Sequence, residues 1–169
     1  MGRAPAGAEQ VLGGNMTHNE INRLYLPVMA GPYDRLRPLA WPMLRIAAGL
    51  IMIPHGIPKL FGAFAPLLAK NVLAPLGFPA PLYVAYFLGI LEIFGGILLA
   101  AGFLTRLVAL MFVVETAIIF LFVSLPKGWI YSVPGGGAEY PGILFVIYLA
   151  LAIRGAGEYS VDGVLKREI

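Results

Sequence analysis

Four apolar runs with almost no charge inside them constrain this chain more than any other feature. They extend from Leu39 to Leu60, Pro81 to Ala101, Leu107 to Leu125 and Tyr140 to Ile153. A helix rises about 1.5 Å per residue, so about 20 residues cross the hydrocarbon of a bilayer. The first three runs have that length. The fourth is short for a span unless Gly137 to Glu139 extend it. Charged residues make up 12% of the chain and the mean hydropathy is +0.82, whereas a soluble domain is roughly one quarter charged. The predicted fold class is all-α, an integral membrane bundle of four helices.

The segments between the runs refine that picture. Phe61 to Ala80 is apolar but broken by Pro66, Pro75 and Pro79, so an interfacial or re-entrant segment between helices 1 and 2 is expected rather than a full span. Gly102 to Arg106 is short enough to make the second and third helices an antiparallel hairpin. Pro54 and Pro58 are expected to kink or unwind the end of the first helix. Trp129, Tyr131 and Tyr140 suit a belt at headgroup level. The expected organisation is an N-terminal cytoplasmic arm over 1–37, a four-helix domain over 38–155 and a cytoplasmic tail over 156–169. Residues 1–15 read as a Gly/Ala-rich extension, with Met16 an alternative start. No cleavable signal peptide is expected, because the first 38 residues hold no apolar stretch long enough.

Lys and Arg set the expected orientation. With four spans, both termini share a side with the Gly102–Arg106 turn. That side collects Arg3, Arg23, Arg35, Arg37, Arg45, Arg106, Arg154, Lys166 and Arg167, and the other holds Lys59, Lys70 and Lys127. The bias places both termini in the cytoplasm of a multi-pass protein of a bacterial inner membrane. The basic residues are dispersed around apolar runs, so no nucleic-acid partner is expected. The absence of cysteine excludes disulfides, thiolate metal sites and iron–sulfur clusters carried by this chain. With only His18 and His55, a bis-histidine haem within one chain is not expected, nor is a metal site.

Ionisable residues inside a bilayer are costly and mark candidate sites. Arg45, Gly49, Met52, Gly56 and Lys59 recur at steps of four and three, as do Ala85, Gly89, Glu92, Gly96 and Leu99. Each set shares one helix face and sets a charge among small residues, which let helices approach closely in lipid. Both faces are expected to point inward. Glu92 lies about 16 Å into the second helix and Glu115 about 12 Å into the antiparallel third. The two carboxyls either meet at similar depth, sharing a proton because two like charges in low dielectric do not both ionise cheaply, or face apart. Glu92 serves a ligand or a structural pair with Lys59 or Arg45. Arg45 is expected to reach the cytoplasmic headgroups. His55, Lys59, Glu139 and Tyr140 converge at the opposite end, where Lys59 pairs with Glu139 or reaches down to Glu92. Such a crevice suits the polar head of a quinone or a similar lipophilic ring.

In these motifs the chain resembles the DoxX family of four-span bacterial membrane proteins. Gly56, Lys59 and Leu60 fill a Gly-x-x-Lys-Leu ending. Glu92, Gly95 and Gly96 fill a Glu-x-x-Gly-Gly segment that closes in Gly102, Thr105 and Arg106. Gly155, Gly157, Tyr159, Ser160 and Asp162 fill the family's Gly-Pro-Gly-x-Tyr-Ser-Leu-Asp tail, with Ala156 in place of its proline and Val161 in place of its leucine. The resemblance covers about Leu39 to Asp162. It implies a quinone-linked setting, as in subunits of quinol oxidase or thiosulfate:quinone oxidoreductase, or a membrane partner of a soluble redox enzyme. Any electron transfer needs a partner subunit or a bound quinone. The expected partners are the bilayer, a soluble or membrane redox protein and a second copy of the chain. Three function classes stay open. They are an accessory subunit with a ligand pocket at His55, Lys59, Glu92, Glu139 and Tyr140; a small proton-coupled carrier using Glu92 and Glu115; and a scaffold that binds a soluble partner through Tyr159, Ser160 and Asp162.

Overall fold

A computed structural model describes residues 18–22, 24–130, 132 and 136–167. Arg3, Met16, Arg23 and Tyr131 lie outside the described residues, as does the His18 side chain. The described residues are helical and turn, with no strand among them. They divide into two compact units, one reaching to Trp41 and one starting at Pro42. The first holds α1 (His18–Asn22), a 3₁₀ turn at Pro27–Met29 and the start of α2 (Ala30–Phe61). Its Arg37 pairs with Glu20 at 3.4 Å on an exposed surface, where such pairs add little stability.

The second unit carries the rest of α2, then α3 (Phe64–Leu73), α4 (Pro81–Ala101), α5 (Thr105–Lys127), α6 (Glu139–Arg154) and α7 (Val161–Leu165). Among the described residues, three helices are long and apolar enough to cross a membrane, ending at Phe61, Ala101 and Lys127. α6 has 16 residues and is extended at its start to Glu139. Two loop hydrogen bonds fix that start, Ala138 N–H to Gly128 O and Glu139 N–H to Trp129 O, both 3.0 Å.

Both charged stripes are buried. On α2 they are Arg45, Gly49, Met52, Gly56 and Lys59; on α4, Ala85, Gly89, Glu92, Gly96 and Leu99. The glycines are what allow the contact. A Cβ at Gly56 would lie 2.7 Å from the Gly89 carbonyl, and one at Gly96 would lie 2.6 Å from the Gly49 carbonyl. Backbone therefore meets backbone along the α2–α4 seam, the packing that small residues permit in lipid. Large side chains such as Phe94, Val146 and Ile153 stay exposed, as suits helices that face hydrocarbon.

The prolines do not unwind α2. It starts at Ala30 and continues through Pro38, Pro42, Pro54 and Pro58 to Phe61 without a break. A helix in a membrane bundle tolerates proline because neighbouring groups satisfy the freed backbone. The α4–α5 hairpin closes as a Schellman turn. Phe103 N–H reaches Leu98 O at 2.9 Å, and Gly102 N–H reaches Leu99 O at 3.0 Å. Gly102 has φ +73, and a Cβ there would lie 2.7 Å from Cζ of Arg45, so both conformation and space require glycine.

The segment between α2 and α4 is folded, not a span. Ala65, Ala69 and Leu73 of α3 pack with Ala85 of α4, flanked by Leu68, Phe78 and Leu88. This short apolar helix forms one wall of the site described next.

Candidate functional site

Lys59, near the end of α2, and Glu92, midway along α4, form the centre of the site. Both are buried, and the ammonium donates to both oxygens of the carboxylate. A third donation goes to the His55 carbonyl at 3.2 Å. Gly89, one turn before Glu92, makes the room, since a Cβ there would lie 2.9 Å from Cβ of Lys59. The ammonium also sits 5.8 Å from the centroid of the Phe64 ring, a cation–π distance. Two open alternatives are thereby resolved: Lys59 takes Glu92 rather than Glu139, and Glu92 takes Lys59 rather than Arg45.

Glu115 on α5 joins this pair. It interacts with Glu92, by charge and by a side-chain hydrogen bond, and with Lys59 by charge, and is 6% exposed. Of the two orientations left open by the sequence, α5 adopts the one that brings the carboxyls together. Thr116, the next residue, is committed to its own helix, its hydroxyl donating to Phe112 O at 2.6 Å.

A cavity of about 870 Å³ opens beside the cluster, within the size range of small-molecule sites. Lys59, Glu92 and Glu115 border it, and apolar side chains from α3, α4, α5 and α6 supply most of the rest. Each of three π turns contributes lining residues: Leu73 from Ala69–Leu73, Leu91 from Leu91–Gly95 and Ile119 from Ile119–Ser124. π turns are rare and recur at functional sites because the extra residue re-aims side chains. Here one of them carries Glu92. His55 and Tyr140 also line the cavity, with 3.5 Å between His55 Nε2 and the Tyr140 hydroxyl. Glu139 is not among the lining residues.

Arg45 and the tail build a separate centre. Instead of reaching headgroups, Arg45 is 2% exposed. Its guanidinium donates to the carbonyls of Ala156 and Tyr159, the latter at 2.7 Å. Planar guanidinium donors suit two carbonyls presented by one bend. Arg45 and Glu115, the expected proton or ion-pair groups, therefore serve different places. Asp162 is 4% exposed, and its carboxylate accepts from Leu104 N–H and Thr105 N–H, both at 2.9 Å. These amides open α5, where a helix start leaves donors unpaired and favours an anion. Ser160 caps α7, accepting from Gly163 N–H at 2.9 Å. Two of the three tail residues expected to contact a partner thus act within the chain. The Tyr159 ring, 58% exposed, remains available. Arg106 completes the stitching by donating to Ile153 O at 2.8 Å at the end of α6.

Tyr148 was not among the residues singled out by sequence. It is fully buried, donates to Ala48 O at 2.8 Å and packs against Phe112 in a tilted pair with ring centroids 4.9 Å apart. Its signal was position: membrane tyrosines favour the ends of spans, whereas Tyr148 sits mid-run.

These features define a polytopic helical membrane protein with a charge cluster against an apolar cavity. The chain belongs to the DoxX family, which it matches over residues 40–125. It is 31% identical over 141 residues to "Inner membrane protein YphA" of Escherichia coli (strain K12), covering 77% of this chain and 93% of that protein. It is 26% identical over 120 residues to "Putative oxidoreductase CatD" of Bacillus subtilis (strain 168), covering 71% of this chain and 82% of that protein. No solved structure matches the chain at a significant level.

Proposed function

We propose that the chain is a bacterial inner-membrane subunit or partner of a quinone-linked redox complex, with both termini cytoplasmic, that holds a lipophilic ring in the cavity beside Lys59, Glu92 and Glu115. The arm over 1–37 and the tail over 156–169 would lie at the cytoplasmic side. The observation that carries this reading is an apolar cavity of ligand size with a buried ion pair and an acid at one wall. A purely structural ion pair needs no such space. The oxidoreductase name of the Bacillus subtilis relative supports the redox setting. In this reading electrons reach the bound ring from a partner, because the chain has no cysteine to hold an iron–sulfur cluster of its own.

Purification in mild detergent followed by organic extraction tests the proposal. The wild-type extract is expected to contain a quinone in near-stoichiometric amount. Glu92→Gln, which removes the charge that holds Lys59, is expected to lower that amount about tenfold, the effect of roughly 1.4 kcal/mol. A wild-type extract free of quinone, together with no binding of added ubiquinone, overturns the proposal.

A further inference from the structure

The tail after α6 is folded, fixed to the bundle and apolar on its exposed side. Asp162 holds it. Its backbone N–H donates to Gly102 O at 2.9 Å, and its carboxylate accepts from Leu104 and Thr105 N–H. These bonds set α7 level with the turn where α4 ends and α5 begins. α7 closes as a Schellman turn, with Arg167 N–H on Asp162 O at 3.2 Å and Lys166 N–H on Gly163 O at 3.3 Å. Lys166 takes φ +51 at the position where glycine is usual. A charged side chain stands there although glycine would fit the backbone better.

Val161, Val164 and Leu165 share one face of α7 by the i, i+3, i+4 rule. All three are exposed, Val164 by 80%, and so is the Tyr159 ring before them. At the same end of the bundle, Ile153 of α6 and Leu107 of α5 are exposed too. That end is also basic. Arg154, Lys166 and Arg167 are exposed, and Arg106 is half-buried where it donates to Ile153 O. Among the described residues of the tail the exposed acid is Glu158, since Asp162 is buried on its two amides. Apolar side chains inside a basic rim, at the ends of spans, match the boundary between acyl chains and anionic headgroups. Aromatic rings favour that layer, and Lys and Arg reach outward in it. A soluble protein would have to reach the same face through the headgroups.

We propose that this end of the bundle is a binding site for anionic phospholipid. Tyr159, Val161, Val164 and Leu165 insert among the first acyl carbons of the adjacent leaflet, and Arg106, Arg154, Lys166 and Arg167 hold the phosphates. The site requires that the bundle span a membrane and is independent of what the cavity holds. It assigns the exposed Tyr159 ring to lipid rather than to a soluble partner. Through Asp162 the contact holds the α4–α5 turn at the headgroup layer.

The test has two arms on the full chain. The chain has no cysteine, so Val164→Cys takes a single nitroxide label. In nanodiscs of phosphatidylcholine with phosphatidylglycerol, its collisions are read with oxygen, which concentrates in lipid, and with a nickel chelate, which stays in water. Frequent collisions with oxygen and few with nickel are expected. Preference for nickel overturns the insertion, and shielding from both overturns it in favour of a protein cover, a second copy included. In the other arm, native mass spectrometry of wild type is expected to retain phosphatidylglycerol over phosphatidylcholine. Lys166→Gln combined with Arg167→Gln is expected to lower that preference about fivefold for each charge removed. Lys166→Gly suits φ +51 but carries no charge, and is expected to lower it about fivefold by the same rule. An unchanged preference in either variant overturns the proposal, as does equal retention of the two lipids by wild type. If the double variant fails to fold, Lys166→Gly decides.

Discussion

Replacing Lys59 with alanine is expected to destabilise the protein by about 3–5 kcal/mol, because removal of one partner strands a buried charge. Glu92 is 2% exposed and receives its hydrogen bonds from the Lys59 ammonium. The loss is large against a total stability of about 5–15 kcal/mol for an ordinary domain, so a marked fall in thermal midpoint is expected in detergent. The double variant Lys59→Met with Glu92→Leu removes both charges and is expected to recover most of the loss, since apolar replacement of a buried pair is often neutral or stabilising. A denaturation series on the wild type, the single variant and the double variant checks both parts. A single variant as stable as wild type would show that the pair is open to water.

The second large effect is expected at the tail. Asp162→Ala removes the acceptor for the amides of Leu104 and Thr105. Two donors left unpaired, one buried and one half-buried, cost about 2–4 kcal/mol together, at the low end of the range for each. Asp162→Asn keeps one neutral acceptor and is expected to lose about half as much, since charge-assisted bonds are roughly twice as strong as neutral ones. Hydrogen exchange distinguishes the local event from global unfolding: the amides of Leu104 and Thr105 should exchange faster in Asp162→Ala while those along α6 hold. Unchanged exchange at the hairpin would mean that Asp162 is not its anchor. A scaffold reading in which the tail is removed without effect on the bundle does not fit this geometry. Asp162, Ala156 and Tyr159 hold Arg45 and the α4–α5 turn in place.

The inward faces were legible in the sequence because they rest on periodicity. Steps of four and three carry Arg45, Gly49, Met52, Gly56 and Lys59 down one side of α2, and burial follows that side. The start of α2 was less legible. An apolar run shows where lipid begins, whereas the helix extends back to Ala30 through the polar residues Asp34, Arg35 and Arg37. Pro54 and Pro58 leave the last turns of α2 wound, because a local rule about backbone donors gives way when neighbouring helices support the chain. The destination of Arg45 lay 111 residues away at Ala156, and no local pattern signals a bond of that separation. Glu115 was ambiguous because bulky residues surround it on both faces. Its orientation depends on how α5 packs against α6, which is a tertiary fact.

Photoaffinity labelling with an azido-quinone is the most direct test of a lipophile held in the cavity beside Lys59, Glu92 and Glu115. Labelled protein in nanodiscs would be digested and the modified residues located by mass spectrometry. Label is expected on cavity residues such as Met111, Ile119 and Leu144, and excess unlabelled quinone should abolish it. Label confined to lipid-facing residues such as Phe94, Ile143 and Val146, unaffected by competitor, would contradict the assignment.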